Sequence, residues 1–169
     1  MAARAVSADM NRRFFFSAAL LAGTTALVTP QLLAAPRPKG QKGWQLTEAE
    51  WKKRLSAQQY FVLREAGTER PFSHPLDKEK RKGRFACAGC KLPLFDSGTK
   101  YDSGTGWPSF YAPLAGAVGT ATDYDIGFPR TEVHCKRCGG HLGHVFNDGP
   151  KPTGKRYCMN GAAMTFTRA

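Results

Sequence analysis

The sequence predicts a mainly β domain of antiparallel strands, with short helices ahead of them and a metal staple. Three observations predict it. After Pro71, short apolar runs alternate with Gly, Pro, Asp and Ser, the texture of short strands joined by tight turns. Glycine (18) and proline (11) are frequent in 169 residues, which favours turns over long helices. Two C-x-x-C knuckles, Cys87-Ala-Gly-Cys90 and Cys135-Lys-Arg-Cys138, offer four thiolates to one ion. The length suits one domain plus extra sequence, and a hydrophobic content of 41% excludes wholesale disorder.

The first informative segment is Arg12-Arg13, followed by Phe14–Pro36 without a charged residue. Paired arginines ahead of a mildly apolar stretch resemble a twin-arginine export signal. Residues 1–35 are therefore expected to be an export signal, 36–43 a Pro/Gly/Lys linker and 44–169 the functional domain. This expects a periplasmic or otherwise exported protein that meets the membrane only during export. A retained membrane anchor is the alternative, although Pro30 and three threonines dilute the apolar stretch that a span needs.

The helices and strands follow in order. Thr47-Glu48-Ala49-Glu50 and Ser56-Ala57-Gln58-Gln59 are capping boxes, in which a hydroxyl accepts a free helix N–H three residues on. They predict helices over Glu48–Leu55 and Ala57–Glu65, with Gly67 as stop signal. Trp51, Leu55, Tyr60, Phe61 and Leu63 would supply their buried faces. Strands are expected at Gly83–Ala86, Thr99–Tyr101, Val118–Tyr124, Arg130–His134, His144–Phe146 and Tyr157–Phe166. Turn signals such as Asp102-Ser103-Gly104 and Asn147-Asp148-Gly149-Pro150 separate them.

The formal charge of +12 divides into +5 over residues 1–43 and +7 over 44–169. Such a surface can attract nucleic acid, anionic membrane or acidic protein. The densest run, Lys78–Arg84, has no aromatic residue interleaved for base stacking, so it reads as a solvated loop and no nucleic-acid partner is expected.

Four thiolates from Cys87, Cys90, Cys135 and Cys138 match one tetrahedral Zn²⁺ and leave no open position for water, so the zinc would be structural. Glycines in or after each knuckle (Gly89, Gly139-Gly140) suit the tight turn that aims both sulfurs at one ion. Two disulfides or a redox-active C-x-x-C are the competing readings. Cys158 is left over. Arg156 and Asn160 lie two residues to either side of it, so on a strand a cation, a thiol and an amide share one face. A nearby cation favours the thiolate. His141 and His144 supply imidazoles for proton transfer, and Asp148 is placed to fix a tautomer or to hold Arg156. Trp107, in a Gly/Pro-bounded turn, is either a core residue or the wall of an apolar pocket.

These segments together are familiar. Tyr101–Phe110 (YDSGTGWPSF), Arg130–Cys138 (RTEVHCKRC), Gly140–Pro150 (GHLGHVFNDGP) and Gly154–Ala163 (GKRYCMNGAA) resemble the B-type methionine sulfoxide reductases. The resemblance covers about Trp44 to Phe166. It implies two antiparallel sheets flanked by short N-terminal helices, with zinc away from the active site. It implies Cys158 as nucleophile, His141, His144 and Asn160 around the sulfoxide oxygen, Asp148 and Arg156 as supporting polar residues, and Trp107 as the wall against the substrate methyl. Phe110, at the end of the same motif, is expected beside the substrate. The implied activity is reduction of methionine R-sulfoxide in proteins, with a Cys158 sulfenic acid as intermediate and a thioredoxin-like reductant as partner. Many members carry a second, resolving cysteine where this chain has Thr105. The rival class is a non-catalytic zinc module that binds a partner through its basic surface; it has no need of the Arg156, Cys158 and Asn160 row.

Overall fold

The computed structural model describes residues 38–124 and 126–169. The expected export signal and the first residues of the linker lie outside them. Helix α1 (Glu48–Arg54) and helix α2 (Ala57–Glu65) begin at Thr47 and Ser56, each with a complete capping box. Helix α2 ends at Glu65, as expected, and two residues make its stop. Ala66 takes the left-handed conformation (φ 56°), and the Gly67 N–H then donates to the Phe61 carbonyl. Gly67 is needed for space, because a Cβ there would stand 2.2 Å from the Phe61 ring. The buried face is rotated from the expected one. Val62 and Leu63 are enclosed with Trp51 and Leu55, whereas Phe61 is exposed.

Among the described residues, nine strands form two antiparallel sheets, as the resemblance implies. The smaller contains β1 (Gly83–Cys87), β2 (Pro93–Asp96) and β9 (Met164–Arg168), in the order β2-β1-β9. The larger contains β3 (Lys100–Tyr101), β4 (Ser109–Phe110), β5 (Val118–Asp123), β6 (Arg130–Cys135), β7 (His141–Phe146) and β8 (Arg156–Met159). Its order is β3-β4-β8-β7-β6-β5. The expected strand Tyr157–Phe166 is in fact two. A buried 3₁₀ turn, Gly161–Ala163, interrupts it and carries the chain from the larger sheet to the smaller. Pro93 opens an edge strand, the place in a sheet where a missing N–H is tolerated.

An aromatic cluster joins the sheets. Phe110 of β4 stacks on Phe95 of β2 (centroids 4.3 Å) and meets Phe85 of β1 edge-on (5.0 Å), while Phe85 also contacts Phe166 of β9. Full burial of each such ring contributes about 1.5–3 kcal/mol. The break after β8 therefore places Cys158, Asn160 and the crossover between sheets within a few residues of one another.

Candidate active site and metal centre

The four knuckle cysteines converge. Cys87 ends β1 and Cys135 ends β6, so the cluster ties one sheet to the other. The two knuckles share one backbone pattern. Cys87 N–H donates to Leu92 and Lys91 N–H to Cys87; Cys135 N–H donates to Gly140 and Gly139 N–H to Cys135. In each, the residue after the second cysteine is left-handed, Lys91 at φ 60° and Gly139 at φ 67°. The tight turn thus falls just after each knuckle. Gly89 serves a different purpose, since a Cβ there would come to 3.3 Å from Trp51.

The donor set fits a tetrahedral ion. All four cysteines are buried and free, with their sulfurs within 4.8 Å of one another. Cys87 and Cys138 sulfurs are 3.7 Å apart, and those of Cys90 and Cys135 are 3.5 Å apart. A disulfide needs ~2.05 Å. An S₄ tetrahedron with metal–sulfur bonds of ~2.3 Å has edges of ~3.8 Å, close to these values. The crowding polarises the thiols. Hydrogen bonding with Cys138 holds Cys135 far below the usual thiol range, and Cys135 in turn pushes Cys138 far above it. A dication in place of the protons removes that conflict.

Cys158 lies elsewhere in the larger sheet, on a cavity of about 140 Å³. Register builds the site. Cys158 pairs directly with His144 of β7 on one side and with Ser109 of β4 on the other. Side chains directly opposite in adjacent strands share one face. Gly143 lets β7 and β8 close on each other, because a Cβ there would stand 2.1 Å from the Cys158 carbonyl oxygen. Cys158, His144, Asn160 and Trp107 line the cavity together, joined by Thr68, Arg130, Gly143 and Phe146.

Burial pushes the Cys158 thiol up; hydrogen bonding from Thr105 and the charge of Arg156 oppose it. Thr105 Oγ1 is 3.9 Å from the sulfur and is itself tied to the hydroxyls of Ser103 and, through it, Ser109. Arg156 donates twice to Asp148, at 2.9 and 2.8 Å, and lies over the Phe146 ring. Of the two roles open to Asp148, holding Arg156 is therefore the one it takes.

The histidines are oriented by carboxylates that the sequence did not reveal. His144 Nε2 is 2.6 Å from Asp123, which Arg130 also engages. His141 Nδ1 is 2.8 Å from Glu132. The imidazole rings stand 5.3 Å apart. Burial holds His144 below the ordinary histidine value, partly offset by Asp123. His141 is buried and is not among the cavity-lining residues. Phe110 is the residue of the Trp107 motif expected beside the substrate. It is fully buried in the aromatic cluster between the sheets and does not line the cavity, because β4 turns Ser109, not Phe110, toward Cys158.

One further group was missed. Glu69, 5% exposed, accepts from the Gly161 and Ala162 N–H groups at 2.6 and 2.8 Å. Its own N–H donates to Asn160 Oδ1 (3.0 Å), and its carbonyl accepts from Trp107 Nε1 (3.2 Å).

Residues 55–168 match the model of the SelR domain family. The chain belongs to the SelR domain family. Similar proteins include peptide methionine sulfoxide reductase B1, chloroplastic, of Arabidopsis thaliana, 56% identical over 120 residues. That match covers 70% of this chain and 59% of the longer plant protein. Peptide methionine sulfoxide reductase MsrB of Leptospira interrogans is 52% identical over 123 residues, covering 72% of this chain and 94% of that protein. MsrB of Agrobacterium fabrum is 53% identical over 121 residues, covering 71% and 90% respectively. The SelR match thus takes in both knuckles, the Trp107 turn and all of β8.

Proposed function

We propose that the chain reduces methionine R-sulfoxide in proteins to methionine, with Cys158 as the nucleophile. The observation that carries this reading is a thiol on a cavity wall, directly opposite His144 and beside Trp107 and Asn160, in a chain of the SelR domain family. A non-catalytic zinc module would have no use for that cavity.

The chemistry follows from the charges. Burial disfavours both the Cys158 thiolate and the His144 imidazolium, so the resting pair is a neutral thiol and a neutral imidazole. Cys158 sulfur attacks the electrophilic sulfoxide sulfur. The proton leaving the thiol is the one that the departing oxygen needs, and His144 is positioned to carry it. The oxygen ends on Cys158 as a sulfenic acid; Cys158 is oxidised by two electrons and the sulfoxide is reduced by two. Two external thiols then restore the enzyme. The first forms a mixed disulfide and releases water, and the second displaces Cys158 as free thiol. A thioredoxin-like protein suits this role. Asn160 Nδ2 and Trp107 supply a donor and an apolar wall. Zn²⁺ held by Cys87, Cys90, Cys135 and Cys138 would supply a structural crosslink. The paired Arg12-Arg13 supports export of the folded protein to the periplasm or beyond.

The test is turnover of each separated sulfoxide epimer with dithiothreitol. The R epimer should be consumed by wild type and not by Cys158→Ser, which should keep its metal and fold. Activity that survives in Cys158→Ser would end the assignment.

A further inference from the structure

We propose that Glu69 is the positioning residue of this site, acting through Asn160 and Trp107; the proposal rests on the thiol-reductase reading above. A carboxylate shut away from water is costly unless its oxygens are hydrogen-bonded. Glu69 meets that condition with two short bonds from peptide N–H groups, Gly161 at 2.6 Å and Ala162 at 2.8 Å. Charge-assisted bonds of this kind are about twice as strong as neutral ones. They hold the first turn of the 3₁₀ segment that begins two residues after Asn160's neighbour Met159. That segment is also wedged from the other side, because a Cβ on Gly161 would come to 2.3 Å from His74 Nδ1. The carboxylate therefore fixes the point at which the chain leaves Cys158 and crosses between sheets.

The peptide groups of the same residue fix two side chains of the cavity. The Glu69 N–H can only donate, so it selects the oxygen of Asn160; the Leu142 carbonyl can only accept, so it selects Nδ2, at 3.2 Å. Together they set which end of the amide faces which way and leave one Nδ2 hydrogen for another acceptor. The Glu69 carbonyl takes the indole N–H of Trp107 and so sets the orientation of the ring. One residue, remote in sequence from all its partners, thereby orients the amide and the aromatic wall and anchors the turn behind the nucleophile. Glu69 is not itself among the cavity-lining residues, so it acts through others.

Glu69→Gln keeps the shape but turns an N–H₂ toward one of the two peptide donors. The expected result is a single-turnover rate for methionine R-sulfoxide about 10–100-fold lower, the scale of small misplacements in reacting groups. The discriminating readout is a double-mutant cycle with Asn160→Ala. If Glu69 acts through Asn160, Glu69→Gln costs much less in the Asn160→Ala background than in wild type. Leu55→Ala, a destabilising change at the buried C-cap of α1, is the control and should keep the wild-type rate in its folded fraction. Amide proton spectra of the unmodified protein give a second measure that needs no variant to fold. Gly161 and Ala162 should show strongly downfield, slowly exchanging N–H signals. A folded Glu69→Gln at the wild-type rate, full additivity with Asn160→Ala, an equal loss in Leu55→Ala, or solvent-like exchange at Gly161 and Ala162 would each overturn the proposal. Activity persisting in Cys158→Ser would instead remove the underlying reading.

Discussion

Thr105→Cys turns the distance beside Cys158 into a measurable reaction. Thr105 Oγ1 stands 3.9 Å from the Cys158 sulfur. A thiol placed there would need to approach by roughly 1.9 Å to reach the ~2.05 Å of a disulfide. The neighbouring backbone permits part of this. Gly104 is left-handed (φ 70°) with open space around it, whereas Gly106 is packed against Phe72. The two positions are 53 residues apart in sequence. Closing a loop of that size stabilises the folded state by about 4 kcal/mol in the chain-entropy model, less any strain. In wild type the other four cysteines face one another in the knuckle cluster, and a hydroxyl cannot form a sulfur–sulfur bond. One turnover without reductant should therefore leave a trappable sulfenic acid on Cys158 and no new disulfide. In Thr105→Cys the new thiol should displace water from that sulfenic acid, removing the trapped adduct, consuming two thiols and raising the melting temperature of the oxidised form. Mass analysis after a sulfenic-acid trap, with thiol counting, reads both. A Cys158 disulfide to any knuckle cysteine in wild type would refute the reasoning, as would an unchanged sulfenic-acid lifetime in a folded Thr105→Cys protein.

Removal of the metal is expected to unfold the domain, because the cluster joins β1 to β6 and metal binding is coupled to folding. Cys138→Ser should lose zinc by elemental analysis and melt well below wild type; a metal-free variant with the wild-type melting temperature counts against it. Since burial raises the Cys158 thiol, its alkylation by iodoacetamide should climb with pH to a midpoint above that of an ordinary thiol. Arg156→Ala removes an opposing positive charge and should move the midpoint higher still; a rate already level at neutral pH would contradict the stated balance. Export should fail when Arg12 and Arg13 are both replaced by lysine, and fractionation that still finds the protein outside the cytoplasm would exclude the twin-arginine route.

The parts legible in the sequence are those whose partners are local. Each capping box spans four residues, and each C-x-x-C knuckle closes its own turn, so spacing alone describes them. The row of Arg156, Cys158 and Asn160 follows from strand alternation in the same way. What failed to show depends on register. Asp123 and Glu132 reach His144 and His141 only because β5, β6 and β7 pair as they do, and no spacing within one strand reveals that pairing. The burial of Phe110 depends on register in the same way. The alternation within β4 was visible, but which of Ser109 and Phe110 faces Cys158 is decided by the pairing with β8. Glu69 gave the least signal. It stands in an irregular segment, and its bond to Asn160 spans 91 residues.

A structural metal at the cysteine cluster would bear on the thiol chemistry by way of β6. Cys135 ends that strand at the cluster, while Glu132, three residues back, is paired with His144 of the adjacent β7 and holds His141, and Arg130 lines the cavity. At ~3.3 Å per residue, Glu132 is about 10 Å along the strand from Cys135 of the cluster. Loosening the cluster would therefore free the end of the strand that supports the histidines. It would also release four buried thiols whose cross-knuckle pairs already stand at 3.7 and 3.5 Å. In an oxidising compartment those pairs would compete for the same oxidants and reductants as Cys158. Occupancy by a metal such as zinc would withdraw them from that competition and leave Cys158 as the one cysteine of the chain outside the cluster. A metal held there would thus select which sulfur reacts, although no step of the reaction would pass through it.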